Sequence, residues 1–503
     1  MPTWLYVAAL IGTGAAARLP QLLSRNLLLE GDECILGLMA RHLAAGREFP
    51  LFFYGQRYGL AVVEAPAAAL SFLLFGAGAV PLKIAMLAIW LAGIVFYFLA
   101  FLRPLGATRS FWITMVLVLM PAWAATSMKA WSGYITAFAA TAVAMYVITR
   151  NDNRSSVPWV FAGAVAGVIY FAQPLWLPSL LPIVLFYLAS GRRLAFWVAF
   201  ASGAVGAGAA IGAVMWLWLA HAPETWTRPP AGNPHLLTSV PQLLNQMYVN
   251  LTGSYYFGTA MYHGAVTASV AYLWLAVLAL GAAGQIYRVL TRRYLIWSHL
   301  LFASVCITLL ANWILLEWRD ARYVLAVNAP LAFMAGIECF DIADRYRVPM
   351  RRCVLAILCV LCIQAVAMTE FARHSDMWWT NRPDSPSEAA TLRKVVDVMR
   401  SRGVTRAFAM NALLQWPITF YSGETVIARW KADPDRYPAY IRAVDRALER
   451  GDRVAIVGYA GYTYGLEKMV SDPQTIITVD GKYFVYIGPD KDLLRKLGFR
   501  LPQ

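Results

Sequence analysis

The sequence predicts a polytopic α-helical membrane protein with a small C-terminal α/β domain, and three observations predict it. Of 503 residues, 59% are hydrophobic and only 14% are charged, with a mean hydropathy of +0.54. Soluble proteins carry roughly a quarter of their residues as charges. Apolar runs close to the ~20 residues that cross a bilayer recur through the first three quarters of the chain. Beyond about residue 371 these runs stop, and short β-rich stretches alternate with amphipathic helices.

The first apolar run, Trp4 to Ala17, ends in three alanines that resemble a signal-peptidase site. No Lys or Arg precedes it, so it is taken as the first span. Further spans are expected at 80–102, 110–127, 134–149, 157–172, 175–190, 194–220, 264–287, 294–316, 322–340 and 353–370, about eleven transmembrane helices in all. The loops between them alternate in character. One set holds Arg103 and Arg109; Arg150 and Arg154; Arg192 and Arg193; Arg288, Arg292 and Arg293; and Arg345, Arg347, Arg351 and Arg352, with Asp152 and Asp344 almost the only acids. The positive-inside rule makes these loops cytoplasmic. All of them share a side only if the span count is odd and 60–76 does not cross. The N-terminus is then cytoplasmic, and the C-terminal region lies outside the cell (inner) membrane.

The outer side carries the longer loops. In residues 21–79, segments 33–45 and 60–76 read as amphipathic juxtamembrane helices lying at the outer interface. Residues 221–263 form a second long outer loop, of a length that is usually functional. The chain therefore divides into a transmembrane domain, 1–370, and an outer α/β domain, 371–503. In the latter, helices are expected at 386–402 and 436–450, and strands at 406–410, 425–429, 453–458, 474–479 and 483–488. The net charge of +15 sits largely in the short loops, where orientation explains it without nucleic acid. No Gly-rich phosphate loop opens a C-terminal helix. Five of the six cysteines lie in or beside apolar runs and Cys34 stands alone, which argues against a disulfide framework or a zinc site.

Charged residues near the outer surface are the candidates for chemistry. Glu30-Gly31-Asp32-Glu33 follows the first span directly. Glu64 lies in an otherwise apolar run, where an acid is costly unless paired or functional; Arg57 and Lys129 are its possible structural partners. Arg57, Lys129, Arg319 and Arg322 are the outer-facing cations. Guanidinium suits phosphate because its planar fork bonds two oxygens. His221, His235 and His263 lie in or beside the second outer loop. They leave a divalent metal open, without the spacing that would identify one.

Taken in order, these features resemble the GT-C superfamily of lipid-carrier-dependent glycosyltransferases. The likeness is strongest to the bacterial branch related to protein O-mannosyltransferases and the lipid A aminoarabinose transferase. The matching residues are Asp32-Glu33 in the first outer loop, and Tyr54-Gly55-Gln56 leading through Arg57-Tyr58 to Glu64-Ala65-Pro66. Gln173-Pro174 at an outer turn, Arg322-Tyr323 opening a late span and the small outer domain complete the set. The resemblance covers nearly the whole chain; its motifs are short, and their order and sidedness carry the specificity. Two departures stand out: Gln173 replaces the usual Lys before the outer-turn Pro, and no histidine matches a metal ligand.

The resemblance implies a donor sugar on a polyprenyl phosphate and an inverting transfer to a glycan, lipid or protein acceptor on the outer face. No nucleotide sugar is available on that face, so sidedness points the same way. Asp32 is the expected base, with Glu33 orienting it or acting on the acceptor, and Glu64 lining the pocket. Arg57, Tyr58, Lys129, Gln173, Arg319, Arg322 and Tyr323 are the expected contacts to the donor and its phosphate. A transporter or flippase of lipid-linked glycans is the rival reading, although no internal repeat of the kind transporters show is visible. A non-catalytic relative is the other.

Overall fold

The computed structural model describes residues 2–502 except 25–26, 28, 152–154, 192, 220–238, 254, 257–258, 261–263, 316–319, 375–387 and 432–435. Among the described residues, seven helices are long and apolar enough to cross a membrane: Ala79–Leu105, Pro174–Gly191, Leu194–Leu217, Ala265–Leu290, Ile296–Leu315, Ala321–Arg345 and Met350–Glu370. Shorter apolar helices, Thr3–Ala16, Tyr134–Arg150 and Val157–Ala172, fall where further spans were expected. The chain is a multi-pass membrane protein. One expectation needs correction: 110–127 is not a straight span. Helix Ala107–Val118 ends, and the chain resumes at Pro121–Met128 after a 63° bend. Pro121 has no N–H to continue the helical ladder, and its ring blocks the preceding turn.

Aromatic packing holds this bend in place. Trp123 lies 6.0 Å from Trp90 and 4.7 Å from Phe138, and Phe138 in turn lies 5.9 Å from Trp176. Arg18 is buried against Trp90, 4.3 Å from the ring. It donates to the carbonyls of Val118 (2.8 Å) and Trp123 (3.1 Å) on the two sides of the break. Both carbonyls lie where the helix no longer supplies them a donor, and the guanidinium does.

The cationic loops come together at one end of the bundle. Arg103 donates to the Arg150 carbonyl, and Arg109 pairs with Asp344 at 2.8 Å. Arg288 pairs with Glu338 and Asp341, each at 2.6 Å, and Asp341 also meets Arg345. The span Ala321–Arg345 carries Arg345 at that end and Arg322 at the other. At 1.5 Å per residue the two ends lie on the order of 30 Å apart.

The C-terminal region forms a five-stranded sheet: β1 (Arg406–Ala409), β2 (Ile427–Arg429), β3 (Val454–Tyr459), β4 (Ile477–Val479) and β5 (Tyr483–Ile487), in the order β2-β1-β3-β5-β4. β1 pairs parallel with β2 and β3, and β5 pairs antiparallel with β3 and β4. Helices Glu388–Arg400 and Pro438–Glu449 cover opposite faces of this sheet, each with its own apolar core. All five strands lie on stretches with the expected β-rich pattern. Helix Gln415–Tyr421 lies between expected strands and is not among the expected elements.

That helix docks the sheet domain onto the membrane domain. Its target, helix Gly31–Ala44, is buried almost throughout. The expectation of an interfacial helix along 33–45 is corrected accordingly: the helix is buried nearly all round, its acidic residues included, because it is covered on both sides. A Cβ at Gly37 would stand 2.5 Å from the Phe420 ring, so a larger residue there would displace the docking helix. Arg41 stacks 4.3 Å over that ring and donates to the Phe420 carbonyl at 2.6 Å. His42 bridges Glu48 (2.8 Å) and Glu424 of the sheet domain (3.0 Å), and Tyr54 stacks on Tyr437 at 4.7 Å. Burial works against charge on both partners. The hydrogen bonds of His42 to Glu424 and Glu48 nevertheless hold its imidazole above the usual value. His42, Tyr440 and Arg47 bring the Glu424 carboxyl down to about 2.

Candidate functional site

The candidate site is the N-terminus of helix Gly31–Ala44. Glu30 is its N-cap and Glu33 its third residue, and they form a reciprocal capping box. The box leaves Asp32, between them, in the first turn, where the helix dipole favours an anion.

Glu33 points inward and is fully buried. It pairs with Lys83 and with Lys129 (3.2 Å), and accepts from the Ala130 backbone N–H at 3.2 Å. Burial opposes its ionisation, yet the Lys129 and Lys83 charges hold its carboxyl below the usual range. Glu30 accepts from the Trp131 indole N–H and lies 3.6 Å from Lys129; burial pushes its carboxyl up to about 7.

Asp32 faces the other way. Its Oδ2 lies 3.7 Å from Arg322 and its Oδ1 lies 3.3 Å from Arg436 of the sheet domain. The Asp32 side chain is 11% exposed, and among the described residues its Oδ1 accepts no hydrogen bond. A buried carboxylate oxygen with an acceptor position to spare is uncommon in native structures. Arg322 is held by Asp320 at 3.0 Å and by three aromatic rings, Trp131, Tyr134 and Tyr323, each within 6 Å. Its backbone N–H donates to the Asp320 side chain, which caps the turn that opens this span. Tyr58 stands beside the group, exposed, within electrostatic reach of Tyr323, Arg436, Arg322 and Asp32; partial burial pushes its hydroxyl up.

Asp32, Tyr58, Arg322 and Tyr323, far apart in sequence, thus meet at one place. Other expected site residues do not join them. Glu64 is fully buried and accepts from the backbone N–H groups of Gly133 (2.8 Å) and Thr136 (3.1 Å) and from the Thr136 hydroxyl (3.0 Å). It caps helix Tyr134–Arg150, whose own N-cap, Gly133, has no side chain to offer. Gly133 is required there: its φ is +89° and a Cβ would sit 2.1 Å from the Ala172 carbonyl. The suggested pairing of Glu64 with Arg57 or Lys129 is likewise absent from its observed contacts. Lys129 is turned onto Glu33 and Glu30. Gln173 is buried at the end of helix Val157–Ala172, and Arg57 is exposed. Arg319, His221, His235 and His263 lie outside the described residues. Among the described residues no three His, Cys, Asp or Glu side chains cluster as a metal would require.

The overall architecture is shared with solved membrane proteins. ArnT from Cupriavidus metallidurans bound to undecaprenyl phosphate superposes with a TM-score of 0.58 at 14% identity, over 97% of this chain and 99% of that one. Its apo form gives 0.59 at 14%, over 99% and 98%. The Archaeoglobus fulgidus oligosaccharyltransferase, solved with Zn and sulfate, gives 0.52 at 11%, over 93% of this chain and 70% of that one. The fold is the GT-C fold. At these identities the likeness is one of fold. No protein-family model matches the sequence, and no curated protein matches it either.

Within this GT-C fold, three site residues escaped the sequence reading. Lys83 interrupts an apolar run just as Glu64 does, and the same signal would have found it. Asp320 stands two residues before Arg322, at a spacing that suits a capping side chain. Arg436 lies about 400 residues from Asp32, in an ordinary stretch of the sheet domain, and carries no local signal.

Proposed function

We propose that this chain is a glycosyltransferase that moves a sugar from a polyprenyl-phosphate carrier to an acceptor on the outer face of the membrane, with inversion at the anomeric carbon. The observation that carries this reading is Asp32, a nearly buried carboxylate with one oxygen lacking a hydrogen bond and with Arg322 at the other. In the reaction, Asp32 takes the proton of the acceptor hydroxyl as its oxygen attacks the anomeric carbon. The bond from that carbon to the phosphate oxygen breaks, and the electron pair leaves with the phosphate. A carboxylate within hydrogen-bond reach serves as such a base, and guanidinium offsets the charge that develops on the leaving phosphate. Arg322 and Tyr323 are assigned to the phosphate, with Tyr58 at its edge and Arg57 near the entrance. Glu33 and Lys129 contribute from behind by holding the helix terminus in place. The undecaprenyl phosphate carried by the ArnT of the same fold supports a lipid-phosphate donor. The acceptor can be a glycan, a lipid or a protein.

The phosphate assignment predicts a measurable loss. A hydrogen bond to a charged group contributes about 1.5–3 kcal/mol, so Arg322→Ala should weaken donor binding by roughly tenfold or more while the fold is kept. Titration of the purified variant with a polyprenyl-phosphate sugar, beside a thermal unfolding trace, measures both. Unchanged affinity in a folded variant removes Arg322 from the donor site. A wild-type protein that binds and translocates the lipid-linked sugar without ever transferring it would favour the flippase.

Orientation belongs to the same proposal: cationic loops cytoplasmic, sheet domain outside. Ser471 is exposed on that domain. Ser471→Cys in spheroplasts should react with a membrane-impermeant maleimide before lysis. Labelling that needs lysis would place the site on the cytoplasmic face, where nucleotide sugars compete as donors.

A further inference from the structure

Among the described residues, one cation of the site, Arg436, comes from the sheet domain, and its position is determined by the first outer loop. Arg436 presents Nη1 3.3 Å from Asp32 Oδ1, while Arg322 approaches Oδ2 of the same carboxylate. Its guanidinium lies 5.2 Å over the Phe53 ring. Its backbone is pressed onto Gly55, where φ is +71° and a Cβ would stand 2.7 Å from the Arg436 Cα. The next residue, Tyr437, stacks on Tyr54 and leads into helix Pro438–Glu449. Loop and domain are therefore keyed together at the residue that reaches the site. A long side chain loses rotamer freedom when it is held this way, a cost that surface arginines avoid.

Charge balance suggests what the second guanidinium does. Arg322 is already engaged by Asp320 at 3.0 Å. Asp32 is then the anion opposite Arg436. A phosphodiester is also an anion with two free oxygens, the shape that the guanidinium fork matches. We propose that Arg436 is a second ligand of the donor phosphate, so that the donor site is complete only when the sheet domain is docked. This rests on the function proposed above. The incoming phosphate exchanges for Asp32 on Arg436 and frees that carboxylate to accept a proton. The base is thereby released from one of its two cations only when a donor is present.

The test uses the full chain in lipid nanodiscs, with undecaprenyl phosphate and neutral undecaprenol as probes. Wild type should prefer the phosphate. Arg436→Gln should weaken phosphate binding about tenfold, the usual size for one charge-assisted contact, and leave undecaprenol binding unchanged. Arg436→Lys, with charge kept and fork lost, should fall between the two. If Arg322→Gln loses the phosphate while Arg436→Gln binds it like wild type, Arg436 is no ligand and the proposed function stands without it. If Arg436→Gln loses both probes equally, the domain has undocked and the ligand role is overturned. If wild type shows no preference for the phosphate, the function and this inference fall together. Should Arg436→Gln not fold, the Lys variant decides, and wild-type affinity for both probes overturns the proposal.

Discussion

Asp32→Asn should lower sugar transfer by about 10²–10⁴-fold, the usual contribution of general-base catalysis, with donor binding and thermal midpoint close to wild type. Asn keeps the shape of the side chain and its place in the first turn, but it cannot accept the acceptor's proton. The two guanidiniums near Asp32 complicate the expectation in one direction only. Arg322 keeps Asp320 as its counter-ion at 3.0 Å, so removing the Asp32 charge leaves a net positive site that holds an anionic phosphate at least as well as before. Loss of turnover with unchanged or tighter donor binding is therefore the expected signature. Transfer assays on purified protein, with donor affinity measured separately, would show it. Near-normal turnover places the base elsewhere.

Glu33→Gln should act on stability, in contrast to its neighbour. Glu33 is fully buried and neutralises Lys83, which is itself buried inside a membrane span. Removing one partner of a buried ion pair strands the other charge and costs about 3–5 kcal/mol. Glu33→Gln should therefore lower the thermal midpoint and the yield of folded protein, while Asp32→Asn leaves both nearly unchanged. Adding Lys83→Met should recover part of the loss, because the stranded charge is then gone. A Glu33→Gln protein that melts like wild type but transfers no sugar would falsify this assignment and return Glu33 to the chemistry. Adjacent acids on one helical turn thus have opposite roles because successive side chains point about 100° apart: one faces the membrane core, the other the site.

Several features were legible in the chain because they depend on local pattern. Apolar runs of bilayer length, the arginines between them, the five short strands and the order of the outer motifs are each read within a few residues of one another. Asp32 stood out because an acidic pair directly follows an apolar run, and Arg322-Tyr323 because a cation and an aromatic open a span. Local pattern also misled. Glu64 carries the same signal as a catalytic acid, a carboxylate in an apolar run. Whether such an acid does chemistry or caps a helix depends on Gly133 and Thr136, about 70 residues away.

The reach of the sheet domain was hidden for the same reason. Arg436, Glu424 and Phe420 have unremarkable neighbours in sequence, and only docking gives them Asp32, His42 and Gly37 as partners. Segment 33–45 reads as amphipathic, yet its helix is covered on both faces because a second domain packs on the side expected to meet water or lipid. Membrane crossing and strand identity follow from the preferences of each short segment for its surroundings, a property that a segment carries by itself. The assignment of one acid to the site, one to a buried ion pair and one to a helix cap depends on which charges and open backbone N–H groups the fold brings within about 4 Å of each. In a medium of low dielectric those nearest partners dominate, and they come from every part of the chain.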